Sequence, residues 1–91
     1  MANATTNTKE AAREAVMKFL KATIEGLLNE PDKVRYNVAQ GKTMLIEVLV
    51  PKDEISKVIG KGGKHARSII ILALGISSHH GVKSRISIQE G

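Results

Sequence analysis

The sequence predicts an α+β fold, a two-layer sandwich in which a three-stranded mixed sheet packs on three helices. Three observations carry that expectation. Apolar residues recur at three- and four-residue steps in an opening segment, then alternate singly in one short run and stand almost continuously in a second. Two helical stretches separate the second of those runs from a third, enough chain for a right-handed crossover between parallel neighbours. Finally, 91 residues suffice for one domain and one modest core. We expect residues 8–91 to form that domain and the polar segment Met1–Asn7 to be a disordered tail.

Between Thr8 and Glu30, Ala12, Val16, Phe19, Leu20, Ile24, Leu27 and Leu28 mark one face, while Glu10, Glu14, Lys18, Lys21 and Glu25 mark the other. This is the pattern of an amphipathic helix. Asn7 followed by Glu10 resembles a capping box, and Pro31 biases Glu30 away from helical angles. Mixed charges and the lack of Trp favour a core-packing helix over one lying on a membrane. Val34, Tyr36 and Val38 then alternate with Lys33, Arg35 and Asn37, a strand with one wet face. Ala39 to Lys42 reads as a turn, and Thr43 to Val50, broken only by Glu47, as a central strand antiparallel to its predecessor.

After Pro51, Asp53 can cap a short helix reaching Ile59. Gly60, Gly62 and Gly63 interrupt it, and Lys64 to Leu74 reads as the next helix with Gly75 as its stop. Ile76 to Gly81 is then loop, and Val82, Ile86 and Ile88 alternate as the last strand. The order is α-β-β-α-α-β.

The net charge of +5 is unevenly placed. Eight basic and eight acidic residues cancel between Met1 and Glu54. From Ile55 to Gln89 stand Lys57, Lys61, Lys64, Arg67, Lys83 and Arg85 with no acid among them. A one-signed stretch of this kind points to a polyanion surface, with a merely solvated basic face as the competing reading.

The Gly60-Lys61-Gly62-Gly63 loop gives that surface a chemistry. Glycines three apart are weak evidence by themselves, since a chain this long should show such a pair about 0.4 times by chance. Placement supplies the meaning. Gly60 and Gly63 can adopt positive φ and lack a Cβ, so a nucleic-acid backbone can approach main-chain N–H groups. The N-terminus of the helix beginning near Lys64 points its donors the same way. Lys61 sits at the tip, flanked by Lys57, Lys64 and Arg67. A Walker loop fails, because the positions five before Gly62 and Gly63 hold Lys57 and Val58 and because His65 follows Lys64. A dinucleotide fingerprint fails at His65.

The run from Val50 to Lys64 resembles the signature of KH domains, and the element order is that of the type II KH fold. The resemblance covers nearly the whole chain after the seventh residue and is nearest to the small single-domain bacterial KH proteins of the KhpA type, with Ala66 where many KH domains carry Ile. It implies a groove for about four nucleotides of single-stranded RNA, clamped by the glycine loop. The groove would be lined by Ile55, Val58 or Ile59 and by the last strand, and closed by a variable loop at Gly75–Gly81. The site residues it implies are Gly60, Lys61, Gly62, Gly63, Lys57, Lys64, Arg67 and Ile59. It further implies an RNA chaperone or post-transcriptional regulator that acts with a second KH-containing protein; the cysteine-free composition makes the cytoplasm the expected setting, and the apolar surplus at Ile69–Leu74 makes a homodimer the other expected assembly. The alternative role is a protein-interaction module built on the same scaffold.

Other chemistries find little support. Without cysteine there is no disulfide, thiolate cluster or cysteine nucleophile, and no cofactor is expected. The longest apolar run, Ile69 to Leu74, is too short to span a membrane. Phe19 and Tyr36 fit core positions better than stacking platforms. His79 and His80 lack the third ligand and the spacing of a metal site. His65 beside the loop is either a source of pH-dependent charge or a bystander. Asp53 and Glu54 read as capping residues rather than catalytic ones, and no enzyme is expected. Ile69, Ile70, Leu72 and Leu74 are more than one helix face must bury, so they serve either a dimer contact or the core.

Overall fold

The computed structural model describes residues 8–91, so the expected tail over residues 1–7 and the capping role of Asn7 lie outside the described residues. Helix α1 (Thr8–Glu25) leads through a 3-10 turn at Pro31–Lys33 into strands β1 (Arg35–Gln40) and β2 (Met44–Val50). A five-residue helix α2 (Ile55–Ile59), a 3-10 turn at Lys61–Gly63, helix α3 (Lys64–His79) and strand β3 (Ser84–Glu90) complete the α-β-β-α-α-β order. The sheet runs β1-β2-β3, with β2 antiparallel to β1 and parallel to β3. This is the predicted α+β sandwich.

The period of two in β2 decides which face the helices cover. Met44, Ile46, Val48 and Val50 point inward and are buried. Val16, Leu20 and Ile24 of α1, Val58 of α2 and Ile69 and Ala73 of α3 meet them in one core. The outer face stays wet. There Glu47 accepts hydrogen bonds from Asn37 (3.1 Å) on β1 and Gln89 (2.7 Å) on β3, which stitches the three strands together.

The structure differs from the sequence expectation at several element ends, among them β3, which starts at Ser84 rather than Val82. Helix α1 ends at Glu25 rather than Glu30: Leu27 and Leu28 bond back only three residues, and the next two N–H groups are captured elsewhere. They donate to the carboxylate of Glu54, at 2.7 Å from Asn29 and 3.1 Å from Glu30. Strand β1 continues through Ala39 and Gln40, which pair with Leu45 and Met44, so the turn shrinks to residues 41–43. Asp53 makes no capping bond on α2. Helix α3 runs straight through Gly75 to His79, and the loop expected over residues 76–81 is mostly helix. The buried stripe Ile69, Ala73, Ser77 continues past Gly75, and the Ser77 hydroxyl donates to the Val82 carbonyl at 2.6 Å. Tertiary contact thus outweighs the local glycine penalty. The residue past the helix end with positive φ is Gly81 (φ 73°).

Candidate nucleic-acid interface

The loop between α2 and α3 is built by three glycines in conformations other residues avoid. Gly60 has φ 74° and ψ 170°, while Gly62 (65°, 17°) and Gly63 (78°, 12°) are left-handed. The region occupied by Gly60 is essentially closed to residues with a Cβ. Gly60 N–H donates to the Ser56 carbonyl and Gly63 N–H to the Gly60 carbonyl, which pins the two ends of the loop. Between them, the N–H groups of Lys61 and Gly62 make no hydrogen bond among the described residues. Lys61 in a helical conformation followed by left-handed Gly62 forms a concavity of main-chain donors suited to an anion. Neither Gly62 nor Gly63 has an atom within 4 Å of where a Cβ would stand, so the approach is open.

The predicted site residues divide into groups. Gly60, Lys61, Gly62 and Gly63 form the concavity, and Lys61 is exposed at its tip. Lys64 and Arg67 are exposed on the first turn of α3. Lys57 is partly engaged elsewhere: its ammonium lies 3.3 Å from the buried Glu54 carboxylate. Ile59, beside Gly60, is half-buried, as is Ile55. Val58, offered as an alternative lining residue, is fully buried in the core and unavailable.

A surface cavity of about 730 Å³ lies against α3 and all three strands, lined by Ile70 and Leu74 of α3, by Ser84, Arg85 and Ile86 of β3, and by residues of β1 and β2 that include Val38, Leu45 and Glu47. Helical spacing places Arg67 on the same side of α3 as Ile70 and Leu74. The groove is mainly apolar, with Arg85 and Glu47 in its lining; the glycine loop lies beyond it at the head of α3. Together they suit a charged backbone carrying flat bases. The sequence reading assigned the last strand to this groove but gave Ile70 and Leu74 to core or dimer. The structure splits that apolar surplus: Ile69 is buried, Ile70 and Leu74 face the groove, and Leu72 is 57% exposed. The neighbouring Ile71, not singled out by the pattern, is 60% exposed.

Glu54 was also missed. Its side chain is only 5% exposed, and it joins the end of α1 to the start of the segment that carries the loop. Its carboxyl is held below the usual carboxylate range, first by the hydrogen bond from Asn29 N–H. Burial opposes that shift, and the Glu30 N–H and the Lys57 ammonium reinforce it. His79 and His80 meet edge to face, with ring centroids 5.3 Å apart. Among the described residues no helix is long and apolar enough to cross a membrane.

Comparison with known proteins agrees with this geometry. The family model described as KhpA/KhpB, KH domain, matches residues 17–88. The chain is similar to the RNA-binding protein KhpA of Chlamydia pneumoniae, 34% identical over 74 residues that cover 80% of this chain and 95% of that one. It is similar to RNA-binding protein KhpA of Aquifex aeolicus, 39% identical over 64 residues covering 67% and 81% of the two chains. The protein of the same name from Mycobacterium tuberculosis is 34% identical over 64 residues, covering 67% and 78%. No solved structure matches the chain significantly.

Proposed function

Since the chain belongs to the KhpA/KhpB family of KH domains, we propose that it binds single-stranded RNA by clamping the sugar-phosphate backbone in the Gly60–Gly63 loop. The observation that carries this reading is the pair of unbonded, adjacent N–H groups of Lys61 and Gly62, set among glycines that leave them open. A phosphate oxygen supplies the missing acceptors, Lys61, Lys64 and Arg67 supply the opposite charge, and bases lie toward Ile59, Ile70 and Ile86. Lys57 contributes through its field, because its ammonium is shared with Glu54. Binding of this kind tolerates sequence and fits an RNA chaperone or post-transcriptional regulator acting in the cytoplasm. The reading is that of a binding module, in keeping with relatives named as RNA-binding proteins.

The test is RNA affinity of the chain carrying Lys61→Asp with Gly62→Asp. The expected result is loss of binding with an unchanged circular dichroism spectrum, and retained affinity in that folded variant would overturn the reading. Contact with three or four phosphates further predicts about 20- to 50-fold weaker binding for a fourfold rise in salt.

A second reading accompanies the first. Leu27, just beyond the end of α1, and Ile71 and Leu72 of α3 are 39%, 60% and 57% exposed. Leu27 and Leu72 line a shallow cavity of about 320 Å³ with Phe19 and Ile69, bordered by Lys64 and His65 at the start of α3. We propose a second copy of this chain as the occupant. Sedimentation of the pure chain as a dimer supports that, and a strict monomer at high concentration leaves a different KH-containing chain as the partner to test.

A further inference from the structure

One side chain spans the glycine loop from behind. His65, the second residue of α3, places Nδ1 3.0 Å from the main-chain oxygen of Lys57 in α2. A carbonyl can only accept, so Nδ1 carries the proton and donates. The same ring lies against Gly60: a Cβ added there would stand 2.6 Å from His65 Cγ and 2.8 Å from Nδ1. The imidazole occupies the space that a side chain at position 60 would need.

In an uninterrupted helix, the Lys57 carbonyl would accept from the N–H four residues on, that of Lys61. The chain breaks at Gly60, which leaves a carbonyl without its helical donor and an N–H without its acceptor. His65 satisfies the carbonyl from outside the helix, and the Lys61 N–H stays free for an anion. We infer that His65 is a positioning residue for the clamp, bracing Gly60 and tying α3 to α2 so that the Lys61 and Gly62 donors are already aligned when a phosphate arrives. This rests on the reading of the loop as an RNA clamp. Three glycines within four positions carry much backbone freedom, and restricting it beforehand removes ordering entropy from the binding step. The brace needs only a donor at Nδ1 and no charge.

The experiment measures affinity for a labelled oligouridylate, its salt dependence and thermal stability in His65→Ala and His65→Asn. Losing one positioning hydrogen bond should weaken binding by about fivefold in His65→Ala. The exposed site should leave the melting temperature near that of the unsubstituted chain, and the salt slope should not change because the phosphate contacts persist. Asn places an amide donor near the Nδ1 position without charge, and should restore affinity to within about twofold. Undiminished affinity in His65→Ala, or Asn binding as weakly as Ala, would overturn the inference while leaving the clamp intact. So would a slope shallower by about 0.7, which would make His65 a phosphate contact instead. Failure of the unsubstituted chain to bind the oligouridylate would overturn the reading of the loop itself, and this inference with it.

Discussion

Gly60 is fixed by two independent constraints, its own backbone angles of 74° and 170° and the His65 ring packed against it. Gly60→Ala should therefore destabilise the fold by about 1–3 kcal/mol in chemical denaturation. Adding His65→Ala relieves the side-chain contact but not the backbone, so the double variant should remain less stable than the single His65→Ala. Glu54 sets a second prediction at this scale. A carboxyl whose value is lowered by folding stabilises fully above its unfolded value of 4.5, and that contribution disappears as the pH falls through the lower folded value. Acid titration of stability should show the unsubstituted chain losing more than Glu54→Gln does once the pH drops below 4.5. The three glycines were legible in the sequence because each reports a local need for positive φ. The bond from Glu54 to Asn29 and Glu30 was not, because it joins segments 24 and 25 residues apart that nothing local connects.

Helix α3 shows how far tertiary packing can carry an element. Gly75 sits exposed inside it, with nothing within 4 Å of a built Cβ and no positive φ. Gly75→Ala should raise stability by about 0.5–1 kcal/mol, seen as a higher melting temperature, since it removes backbone freedom from the unfolded chain without a clash. The contrast with Gly60, where the same substitution is expected to harm, checks that the helix continues through position 75. The contact of α1 with the sheet supplies a further test. The Tyr36 hydroxyl donates to Glu25 at 2.8 Å, and Lys21 lies 5.5 Å from the Tyr36 ring centre. Tyr36→Phe should cost about 0.5–1.5 kcal/mol in urea denaturation while leaving RNA affinity unchanged, because Tyr36 itself lines neither the groove nor the glycine loop. Periodicity identified both helices, but the end of α3 depended on Ser77 finding the Val82 carbonyl and on Ile76 reaching the core.

Across the whole molecule, charge and scaffold are divided between two parts of the chain. The residues through Glu54 sum to zero charge and provide α1, β1 and β2, whose inward side chains make most of the core. The acid-free stretch Ile55–Gln89 provides α2, the glycine loop, α3 and most of β3, and with them the basic residues of the candidate interface, while β1 and β2 complete the groove's lining. Leu20→Ala, at a fully buried position, should cost about 2–5 kcal/mol. Set against a usual total of about 5–15 kcal/mol, that tests whether the core of so small a chain has any reserve. By itself, the sequence determined the order of elements, the inward face of the sheet and the place of the glycine loop, because hydrophobic period, turn chemistry and positive φ are properties of neighbouring residues. Only the tertiary structure decided where α1 and α3 end, that Lys57 is shared with Glu54, that Ile70 and Leu74 face the groove, and that His65 braces the loop. Each of those depends on atoms brought together from elements whose mutual approach is fixed by packing, and no local pattern encodes that approach.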